Sequence, residues 1–332
     1  MKIIKGIYLF LFLLSGCVED FDLELDTVEP KLVVDGLITN QEGPYYVRLI
    51  KSHTGKFIEP DPDSIYLKSV VPVKDAQIII SDDAGQIDTL VPLIEETDLS
   101  ELQGDYNSGY YKILYDNYGN IIDTLFITDP LPLIEYRGFY KTQNLVGIPG
   151  RTYYLTIISE GKEYHAIDYM QPVPDIDSLG YIKKVMEKDG QEYFIPLLYF
   201  SEPQDADNYY LIQTHENILS RVLSWSFWEF SIISDEYLQP YVNGLNVSLG
   251  ANPRGFEYPR YSEGDKIYLA LSSLSKSAYE FYEILLKQFE SDGGAYKPSP
   301  ASPPTNLSNG ALGFFRASAT GEKELQIPYP FE

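Results

Sequence analysis

Short apolar runs that alternate with polar residues, separated by turn-forming residues, dominate most of the chain. Residues 31–38 and 45–50 combine β-branched, aromatic and polar residues in this way and predict two neighbouring strands. Residues 77–81 and 86–90 predict another pair, because the acids and the glycine at 82–85 favour a tight turn. Frequent short strands without helical periodicity predict a mainly β chain whose first domain is an immunoglobulin-like β-sandwich.

A proline-rich segment, residues 172–178, divides the chain into two predicted domains. Pro172 and Pro174 favour an extended, semi-rigid linker, and no amphipathic period crosses it. The β-sandwich domain is therefore predicted over residues 31–171. A second β-rich domain, which carries one amphipathic α-helix, is predicted over residues 179–332.

The helix of the second domain is predicted near residues 277–291. Ser277 and Glu280 fit a capping box, in which each side chain accepts a hydrogen bond from a free backbone N–H group. Gly293 and Gly294 end the helix. The apolar residues that recur at helical spacing along one face are Ala278, Phe281, Tyr282, Leu285 and Phe289.

The first residues of the chain have the layout of a secretory signal peptide, predicted over residues 1–16. Lys2 and Lys5 form a basic start, and residues 7–14 form a short apolar core. That core is too short to be a transmembrane anchor, since a helix needs about 20 apolar residues to cross a bilayer.

Cys17, the only cysteine, follows Ser15 and Gly16 directly. This arrangement resembles the bacterial lipobox, whose cysteine receives a diacylglycerol on its sulfur and an acyl chain on its freed amine. Several acyl chains give stable membrane anchoring, whereas one is marginal. The alternative is an ordinary secreted protein with a stray thiol. With no second cysteine, the mature chain forms no intramolecular disulfide.

Residues 17–30 are predicted to be an acidic tether between the anchor and the first strand. Glu19, Asp20 and Asp22 lie directly behind the cysteine. This cluster resembles the signal that sends Bacteroidota lipoproteins to the outer face of the outer membrane. A solvated acidic tether without that role is the alternative.

The charge balance restricts the partners of the mature chain. The full chain has 25 basic and 49 acidic residues, and removal of the leader with its two lysines leaves a formal net charge of −26. Such a body repels nucleic acid and anionic membrane surfaces, so nucleic acid is not predicted as a partner. The 29 tyrosines favour strands and interfaces.

The residue types that usually carry catalysis do not form a complete motif. His53, His165 and His215 lack metal-ligand spacing and are expected to be strand or loop residues. Ser273 and Lys276 match the S-x-x-K motif of penicillin-recognising enzymes, but neither S-D-N nor K-T-G is present. No catalytic residue, metal site or cofactor is therefore predicted.

Two acidic segments leave a structural calcium ion open as an alternative. Residues 105–109 and 205–208, the latter with Asp205 and Asp207, carry oxygen ligands at alternating positions, as calcium loops do. Neither segment completes the twelve-residue pattern, and turns use the same residue types.

Both tryptophans, Trp225 and Trp228, lie in one aromatic run with Phe227 and Phe230. They could form a sugar-stacking platform or a contact with a partner protein. Because the aromatics occupy both faces of one predicted strand, burial in the core is the favoured alternative.

Four segments together resemble one family. They are residues 31–39, the turn 150–153, the linker 172–178 and the carboxy-terminal stretch 303–315. The family is a large group of uncharacterised Bacteroidota lipoproteins, a domain of unknown function, whose genes lie beside TonB-dependent outer-membrane receptors. The resemblance implies an outer-membrane location and a receptor barrel as partner. It supplies no catalytic or binding residues.

These patterns predict a lipid-anchored, surface-exposed outer-membrane protein that assists a TonB-dependent transporter by substrate capture or gating, without catalysis. Its contact with the bilayer is predicted to be through the Cys17 anchor only. The alternative is a cell-surface adhesion or structural β-sandwich module. A hydrolase with an unrecognised site is a third hypothesis, which the lack of paired motif elements disfavours.

Overall fold

A computed structural model describes residues 29–52, 71–92, 110–115, 121–127, 138–185, 190, 192–215, 230–247, 261–290 and 301–329. These residues form strands in several sheets, one α-helix and one short 3-10 helix, Asp235–Tyr237. The prediction of a mainly β chain with a single amphipathic helix is confirmed for the described residues.

The strands of the first half are β1 (Leu32–Thr39), β2 (Tyr46–Lys51), β3 (Val71–Pro72), β4 (Gln77–Asp82), β5 (Ile87–Thr89), β6 (Val91–Pro92), β7 (Tyr110–Tyr115), β8 (Ile121–Ile127), β9 (Phe139–Lys141), β10 (Thr152–Ser159) and β11 (Lys162–Tyr169). The elements of the second half are β12 (Ile176–Val185), β13 (Glu192–Ser201), β14 (Tyr209–His215), β15 (Phe230–Ser234), β16 (Tyr241–Asn246), β17 (Lys266–Leu274), α1 (Lys276–Glu290), β18 (Leu312–Ser318) and β19 (Thr320–Gln326).

The first half is a sandwich of two sheets. The first sheet has the strand order β18-β1-β2-β9-β6, with β3 paired to β2, and the second sheet has the order β11-β10-β4-β5. Alternate residues of β1, β2, β4 and β10 point into one shared core, as expected for strands buried on one face. The fully buried members include Val34, Ile38, Leu49, Ile78, Ile80, Leu155 and Ile157.

The predicted hairpin of β4 and β5 is confirmed, and Arg151 fixes its turn. Gly85 adopts φ +88°, a conformation that favours glycine. The Asp82 carboxylate accepts hydrogen bonds from the backbone N–H groups of Ala84 and Gln86. Arg151 Nη1 donates to Asp82 Oδ2 over 2.5 Å. Burial alone would raise the pKa of Asp82, but these donors together hold it below its ordinary value.

The second half forms another two-sheet packing. The third sheet has the order β12-β13-β16, and the fourth has the order β15-β14-β17-β19. Leu198, Phe200, Tyr210, Ile212 and Leu271 fill the core between them.

Helix α1 covers the other face of the fourth sheet, and it also packs against β18 of the first sheet. Ala278 is fully buried there together with Leu211, Leu274 and Phe314. The predicted helical face is confirmed for Ala278, Phe281 and Tyr282, whereas Leu286 packs against this cluster where the periodicity used Leu285. The side chain of Phe289 lies outside the described residues. None of the helices in the described residues has the length and apolar character needed to cross a bilayer.

The predicted helix cap is wrong by two residues. Ala278 donates its backbone N–H to Ser275 Oγ, so Ser275 is the N-cap, and Ser277 lies inside the first turn. The helix begins at Lys276, because the serine that directly follows strand β17 is already placed to accept this hydrogen bond.

Strand β18 pairs in parallel with β1, although the two come from opposite ends of the chain. The register runs from Val33 opposite Leu312 to Thr39 opposite Ser318. After a single residue, Ala319, the chain enters β19 and pairs with β17 in the fourth sheet. One carboxy-terminal segment thus joins both halves of the molecule.

The free edge of β18 is satisfied by side chains instead of a further strand. Asn306 exchanges two hydrogen bonds with the backbone of Phe315, and Asp168 Oδ2 accepts from the N–H of Ala317 over 2.8 Å. Ser273 Oγ accepts from the N–H of Ala319 over 3.1 Å. Backbone groups at this junction are therefore paired, as buried polar groups must be.

The proline-rich segment lies between the two cores. Val173 packs against both of them, and Ser273 Oγ donates to the carbonyl of Gln171 over 2.6 Å. The division into two domains at residues 172–178 stays a prediction, and β18 is a segment of the second predicted domain that lies in the first sheet.

The corrected helix cap gives a direct test. Ser275→Ala should lower the free energy of unfolding by at least about 1 kcal/mol, because the N–H of Ala278 loses its acceptor and the Asp168 carboxyl loses a hydrogen-bond donor. The matched control Ser277→Ala should change it by only a few tenths of a kcal/mol, roughly the difference in helix propensity. Urea unfolding followed by circular dichroism measures both, and a larger loss for Ser277→Ala would contradict the assignment.

Candidate functional site

Side chains along a strand alternate between the two faces of its sheet. In the first sheet, several charged residues lie on the face that points away from the core. Asp35 of β1 lies directly opposite Arg48 of β2, and Arg48 lies opposite Phe139 of β9. On the other side of β1, Arg316 of β18 lies opposite Leu37. Because residues two apart on a strand share a face, Asp35 and Arg316 are diagonal neighbours. Asp35, Arg48 and Arg316 are called here the outer charged cluster.

Helix α1 covers the Arg316 side of this cluster. The Phe281 ring stacks on the Phe314 ring at a centroid distance of 5.0 Å, and Arg316 Cζ lies 5.4 Å from the centroid of the Tyr282 ring. Arg316 is only 7 % exposed. Its Nε and Nη1 atoms have no hydrogen-bond partner within the described part of the chain. A buried arginine stacked on an aromatic ring but short of acceptors is unusual and calls for an explanation.

Asp35 is exposed to water, although protein atoms lie closely around its carboxyl. Its side chain is exposed, yet protein atoms around the carboxyl raise its pKa to about 6, against the opposing effect of the Arg316 and Arg48 guanidinium groups. Both properties fit a carboxyl at the floor of a concave surface, which protein flanks on several sides and water reaches from one.

A second carboxyl approaches the cluster from β11. Asp168 is 3 % exposed, and burial raises its pKa to about 6. Hydrogen bonds from the Ser275 hydroxyl and from the backbone N–H groups of Ala317 and Tyr169 oppose this rise, as does the charge of Arg316. Asp168 therefore connects the β18 edge, the helix cap and the arginine.

The arrangement is suited to recognition of a polar group. It offers two guanidinium groups, one accessible carboxyl and flanking aromatic rings, and Arg48 Cζ lies 5.3 Å from the Phe139 ring centroid. Titratable groups with shifted pKa values often mark functional sites. The sequence patterns did not identify this site. The available signal was a single charge inside each of two apolar strand runs, at Asp35 and Arg316.

The outer face of the second sheet is a separate feature with a different chemistry. Tyr154 lies opposite Ile167 across the β10–β11 pair, and Ser81 separates Tyr154 from Ile87. The exposed apolar side chains of this face are Ile87, Tyr154, Ile158, Ile167 and Tyr169, with Ile167 at 56 % exposure. These residues are called here the apolar outer face. A cluster of this kind is typical of contact surfaces.

Several residues singled out from the sequence lie outside the described residues. These are Cys17, His53, the segment 105–109 and both tryptophans, Trp225 and Trp228. The lipidation site, the first calcium alternative and the proposed contact aromatics therefore stay predictions.

The other two histidines and the S-x-x-K motif lie within the described part of the chain. His165 lies in β11 and His215 ends β14, as expected for strand residues. The Ser273 hydroxyl donates to one backbone carbonyl and accepts from the N–H of Ala319, while Lys276 is exposed at the start of α1. Ser273 thus joins backbone segments in a structural role.

The segment with Asp205 and Asp207 forms a turn that a buried glutamate fixes. Asn208 Nδ2 donates to Glu202 Oε1 over 3.0 Å and to the carbonyl of Ala206 over 3.1 Å. The Tyr210 hydroxyl also donates to Glu202 Oε1 over 3.0 Å, and burial outweighs both donors in raising the pKa of Glu202. Within the described residues no group of three or more metal-ligating side chains is found.

Comparison with known proteins gives one match and one negative result. Residues 18–324 match a family model described as "Domain of unknown function (DUF4249)". A search of curated proteins found no match to this chain.

The raised pKa of Asp168 predicts a pH dependence of stability. Between its ordinary pKa of 3.8 and about 6 the folded state binds the proton more tightly than the unfolded chain. The wild-type protein should therefore lose stability relative to Asp168→Asn as the pH rises from about 4 to above 6. The change should be at most about 3 kcal/mol, and urea unfolding at a series of pH values measures it.

Asp82→Asn is the matched control, because Asp82 should affect the pH dependence of stability in the opposite direction. The pKa of Asp82 is held low, so its ionised form stabilises the folded state above the unfolded pKa, and that contribution is lost as the pH falls through the lower folded value. Parallel pH profiles for the two variants would contradict the assignment of the two carboxyls.

Proposed function

The chain belongs to the DUF4249 family, and we propose that it is a lipid-anchored outer-membrane surface protein that assists a TonB-dependent receptor by binding. In this role it captures a substrate or gates the barrel and catalyses no reaction. The observation that carries the proposal is the leader that ends in Ser15, Gly16 and Cys17. The family match supports it, because that match begins at residue 18, directly behind the cysteine.

The tether limits how far the body can move from the bilayer. Residues 18–28, between Cys17 and Glu29, span at most about 40 Å when fully extended. Glu29 Oε1 lies 3.6 Å from Lys162 Nζ, so the tether meets the body beside the turn between β10 and β11. A partner must therefore meet the body close to the membrane surface, as a receptor barrel does.

A binding role agrees with the chemistry of the described surfaces. The outer charged cluster offers groups for recognition, and Ser273, the serine of the S-x-x-K motif, holds backbone segments together. The apolar outer face offers a surface for a protein partner, and we assign the receptor contact to it.

The anchor is tested by replacing its cysteine. Cys17→Ala should release the protein from membranes or stall its processing, because no thiol remains for the diacylglycerol. Membrane fractionation and immunoblotting measure the outcome, and unchanged membrane retention would overturn the lipid anchor. The companion variant Glu19→Gln, Asp20→Asn, Asp22→Asn should keep the protein in membranes but remove its sensitivity to protease added outside intact cells.

The receptor contact is tested by co-purification from outer membranes in mild detergent. The wild-type protein should bring a receptor barrel with it, and Ile167→Asp should reduce the amount of barrel severalfold by placing a charge on the apolar outer face. Val185→Asp is the matched control, since Val185 is a 58 % exposed aliphatic residue at the end of β12. Absence of any barrel with the wild-type protein would refute the proposed partner.

The apolar outer face also favours a second candidate function, a cell-surface adhesion or structural module. Such a module would use the same face to bind another surface protein or a glycan. Deletion of the protein would then impair attachment while nutrient uptake stays intact, the reverse of what the accessory role predicts.

A further inference from the structure

Three buried donors on the outer face of the first sheet lack acceptors. Arg316 Nε and Nη1 are two of them, and the Ser318 hydroxyl, two residues further along the same face of β18, is the third. Ser318 is completely buried. Within the described residues none of these three atoms has a hydrogen-bond partner. Buried donors are normally paired, so the chemistry that fits them is a group rich in acceptors.

The cluster is open to water beside these donors. Asp35 is exposed and Arg48 is half-buried, and both lie on the same face as Arg316. Val33 and Leu37, also half-buried, flank Asp35 on the same face of β1, and Leu37 lies opposite Arg316. The face therefore offers guanidinium groups next to aliphatic surface, which suits a ligand with one charged end and an apolar body.

We propose that the outer charged cluster binds the carboxylate of a small organic acid with an apolar body. A planar guanidinium group matches a carboxylate in shape and charge, and such hydrogen bonds are among the strong ones in proteins. Arg316 and Arg48 bind the carboxylate, and the half-buried Leu37 side chain contacts the apolar part. This inference rests on the binding role proposed above and is independent of the anchor and of the receptor.

The nearby acids select a singly charged ligand. Asp35 and Asp168 both contribute negative charge when they are ionised, and they offset the two arginines. A phosphate dianion adds more repulsion than a carboxylate monoanion at the same place. The protein as a whole, with a net charge of −24 for the full chain, adds to this preference.

Asp35 also gives the site a pH dependence. When its carboxyl is ionised it repels the ligand carboxylate, and when it is protonated that repulsion disappears. The charged and titratable groups that face it are Arg48 on β2, Arg316 on β18 and Tyr282 on α1, with Asp168 behind Arg316 on β11. Because the pKa of Asp35 is about 6, the affinity for the carboxylate should rise as the pH falls through that value.

The test is a titration of the purified, detergent-solubilised mature protein with benzoate, benzamide and inorganic phosphate. Benzamide has the shape of benzoate without its charge, and phosphate is an oxyanion without an apolar body. Isothermal titration calorimetry at about pH 5 and about pH 7.5 should detect benzoate alone, with the tighter binding at the lower pH. No benzoate binding up to about 10 mM, or phosphate binding as tight as benzoate, would overturn the proposal.

Two variants with opposite effects locate the site. Arg316→Gln should weaken benzoate binding about tenfold or more, because it removes the charge and two donors. Asp35→Asn keeps every donor, so it should tighten binding at about pH 7.5 severalfold and reduce the pH dependence to the part that Asp168 contributes. The control Lys184→Gln removes an exposed cation on β12 and should change nothing.

Each variant result has a defined consequence. Wild-type affinity in a folded Arg316→Gln protein would overturn the site. If Arg316→Gln does not fold, the Asp35→Asn result decides, and an unchanged pH profile in that variant refutes the proposal. Loss of benzoate binding leaves membrane retention and co-purification of the receptor untouched, so failure here is distinguishable from failure of the proposed function.

Discussion

The parallel pairing of β18 with β1 is the interaction on which the rest of the structure depends. It brings the last part of the chain beside the first strand over a register from Val33 to Thr39. Without it Arg316 would not lie beside Asp35, and helix α1 would have no second surface to cover. The pairing joins distant segments, so its loop-closure entropy must be offset by the buried residues of β18, chiefly Phe315 and Ala317 in the first core.

The second edge of β18 shows how the molecule protects an exposed strand. Side chains of Asn306, Asp168 and Ser273 take the hydrogen bonds that a further strand would make. An unpaired edge is a template for aggregation, so this arrangement has a protective value. The arrangement has an energetic cost at Asp168, because burial of that carboxyl disfavours its ionised form.

Local patterns in the sequence predict local structure well here. The acids and Gly85 identify the β4–β5 turn, and the spacing of Ala278, Phe281 and Tyr282 identifies the helix with its buried face. The sequence predicts the cap at Ser277 because Ser277 and Glu280 complete an S-x-x-E capping box, and only the geometry at the end of β17 selects Ser275. The outer charged cluster could not be predicted, since it depends on the pairing and register of β18 with β1, two strands that are far apart in sequence.

The connection from β18 through Ala319 into β19 has a mechanical consequence. A pull on the amino terminus acts along β1 from its start, whereas a pull on the second half reaches β18 from its end. Because the strands are parallel, these two forces run in opposite directions along the strand axes and load the whole register in shear. All of the hydrogen bonds between the two strands then bear the force together, instead of breaking one after another. The pairing is thereby arranged to resist tension applied between the amino terminus and the second half of the chain.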